Sequence, residues 1–71
     1  MSTPDDFRHN LFIARRRSGL SQERLARKAG LALDTVHKIE HGKRNPRLDT
    51  ICLLADALDV KPGELIDGLE R

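Results

Sequence analysis

The side chains with most to offer a ligand lie between Ser21 and Arg47: hydroxyl and amide at Ser21 and Gln22, a mixed set at Leu33, Asp34, Thr35, His37 and Lys38, and a run of donors at Lys43, Arg44, Asn45 and Arg47. Amide, ammonium and guanidinium groups donate to anionic oxygens, and donors interleaved with an acid and an apolar residue suit the mixed edge of a base pair. This is recognition chemistry, in which no covalent bond is made or broken. The alternatives have little behind them. His37 and His41 stand four residues apart, as two ligands on one helix face would, but no third ligand is near and Cys52 belongs to a later segment, so no metal site is expected. Cys52 has neither a base nor a pocket in evidence and reads as a half-buried structural thiol rather than a nucleophile. With no phosphate-cradling glycine loop, carboxylate pair or triad, the sequence predicts a binding protein and not an enzyme, with no cofactor.

Such a surface needs rigid elements to project it, and the periodicity supplies helices. Thr3, Pro4 and Asp6 read as a helix start, and Phe7, Leu11 and Ala14 recur at helical spacing, giving a first helix over about 4–18 that stops at Ser18-Gly19. Ser21 caps a second, 22–29, which turns Leu25 and Ala26 inward and ends on Gly30. A third, about 33–41, buries Val36 and Ile39 and stops at Gly42. The basic loop Lys43 to Arg47 contains Asn45-Pro46, a turn signal. A fourth, 48–58, carries Leu48, Ile51, Leu54, Ala55 and Leu58 in one stripe, and a fifth, 62–69, opens on Pro62 and contains Leu65, Ile66 and Leu69. The fold class is therefore all-α, a compact five-helix arrangement, with residues 1–71 forming a single domain. Two Phe, no Trp and no Tyr leave an aliphatic core. A chain this short buries only about 60% of its surface, which favours self-association.

Charge is unevenly spread. Residues 1–47 hold 11 Lys and Arg against 5 Asp and Glu, whereas residues 48–71 hold 2 against 6. The basic part suits a polyanion and the acidic part turns away from it. No apolar run approaches the roughly 18 residues of a membrane span, the amino terminus lacks the order of a signal peptide, and the single cysteine excludes a disulfide framework, so a cytoplasmic protein with no membrane partner is expected.

Helices 2 and 3, joined by a three-residue turn at Ala29-Gly30-Leu31, must cross steeply, and small Ala26 lets them approach; helix 3 then projects outward with dimensions that fit a major groove. On that helix, Leu33 suits a thymine methyl, Asp34 a cytosine amine and Lys38 a guanine, with Thr35 and His37 on the same side. Gln22, beside a helix N-terminus, suits a phosphate, as does Ser21. Asp34 has a second reading as a shield for the first amides of helix 3, because Ala32 cannot cap them.

The stretch Leu20–Gly42, LSQERLARKAGLALDTVHKIEHG, together with Asn45-Pro46, Leu48-Asp49-Thr50 and Leu54-Ala55 to Leu58, resembles the lambda-repressor and Cro-type helix-turn-helix family, also called the xenobiotic-response-element family. The resemblance covers almost the whole chain. It implies a transcriptional regulator that binds a double-stranded DNA operator, similar to small stand-alone prophage repressors and restriction-modification controller proteins. It pairs Arg15 with Glu40 in a structural salt bridge, leaves Arg16 or Arg17 for the DNA backbone, and gives the loop Lys43, Arg44, Asn45 and Arg47 to phosphates. Where the family often has Gln or Arg, this chain has Leu33 and Asp34, so the preferred operator does not carry over. The family commonly forms dimers through its last helices. Leu53, nearly opposite its helix's apolar stripe, and Ile66 and Leu69 on a helix too short to bury them are assigned to a two-fold contact; Phe12, also off its stripe, fills a gap against helix 5 or adds to that contact. A dimer reads a pseudo-palindromic site and blocks or recruits RNA polymerase. The rival reading is an antitoxin or other protein-interaction module of the same fold, using Phe12 and the carboxy-terminal apolar patch on a toxin or another protein; Gln22, Lys38, Lys43, Arg44 and Arg47 argue against a decayed DNA-binding face.

Overall fold

The computed structural model describes residues 4–67, with side chains from Phe7 to Ile66. Among these residues there are five α-helices and no strand: α1 (Pro4–Arg17), α2 (Gln22–Ala29), α3 (Leu33–Glu40), α4 (Leu48–Ala57) and α5 (Pro62–Asp67). Leu69 lies outside the described residues.

The core is built from one face of each helix. Phe7, Leu11 and Ala14 of α1, Leu25, Ala26 and Ala29 of α2, Val36 and Ile39 of α3 and Leu54 and Ala55 of α4 close on Leu65 of α5. The i, i+3/i+4 spacing of these residues puts each set on one side of its helix, and burying an aliphatic side chain is worth about 1.5–3 kcal/mol. α1 packs on α3 and α5, α2 on α3 and α4, and α4 on α5, so α3 is held by the two helices that precede it.

Helices α1 to α4 end in the same hydrogen-bonded device, which explains why each stops where it does. After α2, the Leu31 N–H donates to the Ala26 carbonyl at 2.8 Å and the Gly30 N–H to that of Arg27 at 3.3 Å, a Schellman motif that needs Gly30 at φ 73°. The pattern recurs at Gly19-Leu20, at Gly42-Lys43 and at Asp59-Val60, where the Val60 N–H reaches the Ala55 carbonyl at 2.9 Å. Asp59 takes the left-handed conformation at φ 58° without being glycine, which is why the sequence carries no obvious stop there. These motifs draw the last residues expected for α1, α3 and α4 (Ser18, His41 and Leu58) into the turns.

The stripe expected on α4 needs one correction. Leu48 is 72% exposed, while Ile51, Leu54, Ala55 and Leu58 face the core. Leu48 is the first helical residue, and no preceding turn packs over it. Cys52 is likewise exposed rather than half-buried.

Candidate nucleic-acid interface

The placement of α3 starts from a buried ion pair. Arg15, on the last turn of α1, donates from Nε to Glu40 Oε2 at 2.6 Å and from Nη2 to Oε1 at 3.0 Å, a two-pronged match of planar guanidinium to planar carboxylate. The pair is almost fully withdrawn from water, with 10% and 3% of the two side chains accessible. Its remaining bonds tie in the rest of the motif: Arg15 Nη1 donates to the Leu20 carbonyl at 2.9 Å and Gln22 Nε2 to Glu40 Oε1 at 2.9 Å. The end of α3 is thus fastened to α1, to the α1–α2 turn and to the start of α2. Gln22, read from sequence as a phosphate donor, spends one amide hydrogen on Glu40. A buried carboxylate needs several donors, and the nearest half-buried amide supplies one.

Ser21 caps α2, its Oγ accepting from the Arg24 N–H at 3.1 Å, and so holds the first turn beside the adjoining Gln22. Sterics of the turn then decide which side of α3 faces out. Val36 and Ile39 are buried, Leu33 is 47% exposed, Asp34, His37 and Lys38 are exposed and Thr35 is half-buried. The geometry brings four of the five expected base-reading residues onto open surface and sets Thr35 at its margin. The α3 N-cap, Ala32, makes no side-chain hydrogen bond, and Asp34 accepts none from the backbone. Its carboxylate instead meets Lys38 Nζ at 3.1 Å one turn on. Asp34 therefore makes no capping hydrogen bond, although as an acid in the first turn it still faces the positive end of the helix dipole. His37 and His41 stack with ring centroids 4.1 Å apart. No group of three potential metal ligands comes together among the described residues.

Beyond α3, Lys43, Arg44, Asn45 and Arg47 are all exposed on the connection to α4, with Pro46 half-buried between them. Arg16 and Arg17 are exposed at the end of α1. The guanidinium carbons of Arg15 and Arg16 sit 5.5 and 5.7 Å from the centre of the Phe12 ring, which is 39% exposed and serves as a platform for two arginines. An outward helix, a half-exposed apolar residue at its start and a rim of cations form a surface that can press against phosphates and reach between them.

A model of the family described as helix-turn-helix, HTH_3, matches residues 11–65. The chain belongs to this Cro/C1-type helix-turn-helix family. Its HTH_3 fold is shared with solved structures: the restriction-modification controller protein C.AhdI from Aeromonas hydrophila superposes with a TM-score of 0.84 at 44% identity, covering 87% of this chain and 94% of that one. A hypothetical transcription factor from Neisseria, NHTF, gives 0.85 at 33% identity over 89% and 72% of the two chains. In sequence the HTH_3 chain is similar to an uncharacterised HTH-type transcriptional regulator of Sinorhizobium fredii, 38% identical over 57 residues, 80% of this chain and 74% of that protein. It is also similar to the control protein C.BamHI of Bacillus amyloliquefaciens, 41% identical over 51 residues, 72% of this chain and 63% of that protein. These relatives are regulators rather than enzymes. The HTH_3 domain described here is a DNA-binding, transcription-regulating one, and no helix among the described residues is long and apolar enough to cross a membrane.

Away from the α3 face, the HTH_3 domain exposes Leu48, Cys52 and Leu53 in an open apolar groove of α4 edged by Arg47, Asp49 and Asp56. Leu53 is 44% exposed, and Ile66 is half-buried against the core. Leu48 was missed as a surface residue by periodicity because its angle matches the core stripe.

Proposed function

We propose that the protein is a transcriptional regulator that binds a pseudo-palindromic operator as a homodimer, inserting α3 into the major groove and gripping the flanking phosphates with the α2 N-terminus and the loop 43–47. Residues 1–71 act as one domain in this reading. Leu33, Asp34, Thr35, His37 and Lys38 read base edges, while Ser21, Gln22, Arg16, Arg17, Lys43, Arg44, Asn45 and Arg47 contact the backbone. One observation carries the reading: the inward side of α3 is locked by the buried Arg15–Glu40 pair while its outward side stands exposed beside the cationic loop. A helix so fixed contributes its side chains to a groove without a large ordering cost.

The dimer contact is assigned to the surface of α4 and α5, with Leu53, Ile66 and Leu69 at its centre. Exposed Leu53 and Leu48 on a domain of this size favour a partner, and a two-fold contact there leaves both α3 helices free. Two recognition helices one DNA turn apart call for half-site centres about 10 bp apart, or a multiple of this. The controller-protein relatives fit occupancy of an operator, controlled by the protein's own concentration, that blocks or recruits RNA polymerase.

The test is selection of random duplexes with the purified protein, followed by titration of the enriched site across salt concentrations. An inverted repeat with a log–log salt slope of about −0.9 for each phosphate contacted is expected. Binding that is weak and indifferent to sequence would overturn the reading and turn attention to a protein partner.

A further inference from the structure

On the exposed face of α3 an acid points at a base, and neither has another partner among the described residues. Asp34 Oδ2 and Lys38 Nζ lie 3.1 Å apart, with 70% and 49% of their side chains accessible. The N-cap residue Ala32 leaves the first amides of α3 uncapped, yet Asp34 does not turn back to them. An exposed i, i+4 pair of this kind contributes only about 0.3–0.5 kcal/mol to a helix, which gives it little structural purpose. An unpaired acid on a surface meant for phosphates would be repelled by them; with Lys38 beside it, the repulsion is offset.

The pair also has a spacing that matches a base pair. In the major groove a C·G pair presents, in order, the cytosine N4 amine, a donor, then the guanine O6 and N7, both acceptors. N4 and O6 are themselves joined by a Watson–Crick hydrogen bond of about 2.9 Å, close to the separation of Asp34 and Lys38. We propose that Asp34 and Lys38 act together as a single reader of one C·G base pair in a fixed orientation, the carboxylate accepting from cytosine N4 and the ammonium donating to guanine O6 and N7. This inference rests on the reading of α3 as the groove-inserted helix and adds what that helix selects.

Discrimination follows from the donor–acceptor order. Inverting the pair to G·C sets the carboxylate against O6 and the ammonium against the amine. A T·A pair does the same through O4 and N6. An A·T pair offers the amine and a carbonyl in the right order, but places adenine N7 beside the carboxylate and the thymine methyl beside the ammonium, where C·G gives Lys38 a second acceptor. The expected ranking is C·G, then A·T, then the two inverted pairs. Leu33, half-exposed one residue before Asp34, lies over the neighbouring step, where a thymine methyl suits it.

The experiment is operator selection by the intact protein in parallel with the transposed variant Asp34→Lys/Lys38→Asp and with Asp34→Asn, each checked for helicity by circular dichroism. The wild-type protein is expected to enrich a C·G pair at one position of each half-site and to lose about tenfold or more in affinity when that pair alone is inverted, the range of a good base contact. The transposed protein is expected to prefer the inverted pair at the same position, and Asp34→Asn to relax the preference, because an amide both donates and accepts. An operator enriched by the wild type with no C·G at any position that responds to these variants, or a transposed protein that folds and keeps the wild-type preference, overturns the proposal while leaving operator binding intact. Failure of the wild type to enrich any sequence overturns the proposal together with the reading on which it rests.

Discussion

Replacing Arg15 with Ala should be the most damaging single change outside the aliphatic core. Glu40, 3% accessible while the pair is intact, would be left with Gln22 Nε2 as its one side-chain donor among the described residues, and the Leu20 carbonyl would lose its guanidinium bond. Breaking a buried pair from one side costs about 3–5 kcal/mol, because the surviving charge is left without compensation. A chain of 71 residues has a total stability of only about 4–11 kcal/mol. The variant is therefore expected to lie near the edge of folding at 25 °C, with a melting temperature lowered by roughly 15 °C or more at the 4–8 °C per kcal/mol typical of this size. Removing both charges, as Arg15→Met with Glu40→Leu, leaves only neutral groups short of partners, at half-buried Leu20 and Gln22, and should recover at least about 2 kcal/mol of the loss. Urea titrations of the wild type, both single variants and the double variant, at one fixed protein concentration so that self-association does not shift the midpoint, give the coupling energy directly. A single-variant loss below about 1 kcal/mol, or losses that simply add in the double variant, would refute the argument that this pair holds α3 in place.

Five further outcomes follow from local geometry. Ala32→Ser supplies the missing cap of α3 and should raise stability by about 1 kcal/mol in urea titration, the usual worth of a hydroxyl cap. Asp59→Gly relieves a left-handed residue at the end of α4 and should stabilise by a similar amount, about 1 kcal/mol, whereas Gly30→Ala, where a Cβ meets no neighbour but the φ of 73° remains, should cost about 1–2 kcal/mol through the backbone alone. Leu53→Asp should reduce the sedimenting mass toward that of a monomer without loss of helicity, since the side chain it replaces is 44% exposed on the groove of α4. Neutralising Arg44 as Arg44→Gln should weaken all duplexes alike and reduce the salt slope of binding by about 1.

What was legible in the sequence was what local rules decide. Ser21, Gly19, Gly30 and Gly42 mark helix ends because a hydroxyl cap and a left-handed glycine work through a few neighbouring residues, and each lies at the boundary it signals. Apolar periodicity found the inward side of every helix, since a core position repeats with the helical turn. It misplaced Leu48 for the same reason: the angle is right, but the first turn of α4 has nothing packed over it. Asp59 was invisible because the left-handed turn is held there by hydrogen bonds from its own and the following amide rather than by a residue that prefers the conformation. The Arg15–Glu40 pair, separated by 25 residues, came from the family resemblance and not from spacing. Gln22's bond to that pair has no local sequence signal, since it depends on the crossing of α1, α2 and α3.

That bond joins the core to the face proposed for DNA. Gln22 begins α2, next to the capping Ser21, and its amide reaches the carboxylate that Arg15 also holds, so the residue offered to a phosphate is positioned by the same buried charge that positions α3. A phosphate accepting from the other amide hydrogen of Gln22 would meet a group already oriented, with little rotamer freedom left to lose. Gln22→Ala should therefore act on both levels: a modest loss of stability of about 1 kcal/mol from one fewer donor to Glu40, and a loss of operator affinity larger than that obtained by Arg17→Ala, an exposed cation with no such support. Binding titrations of the two variants, made at a temperature where both are fully folded, separate the two effects. An operator affinity unchanged by Gln22→Ala would mean that Gln22 serves Glu40 alone and that the backbone contact at the start of α2 is made by main-chain amides without it.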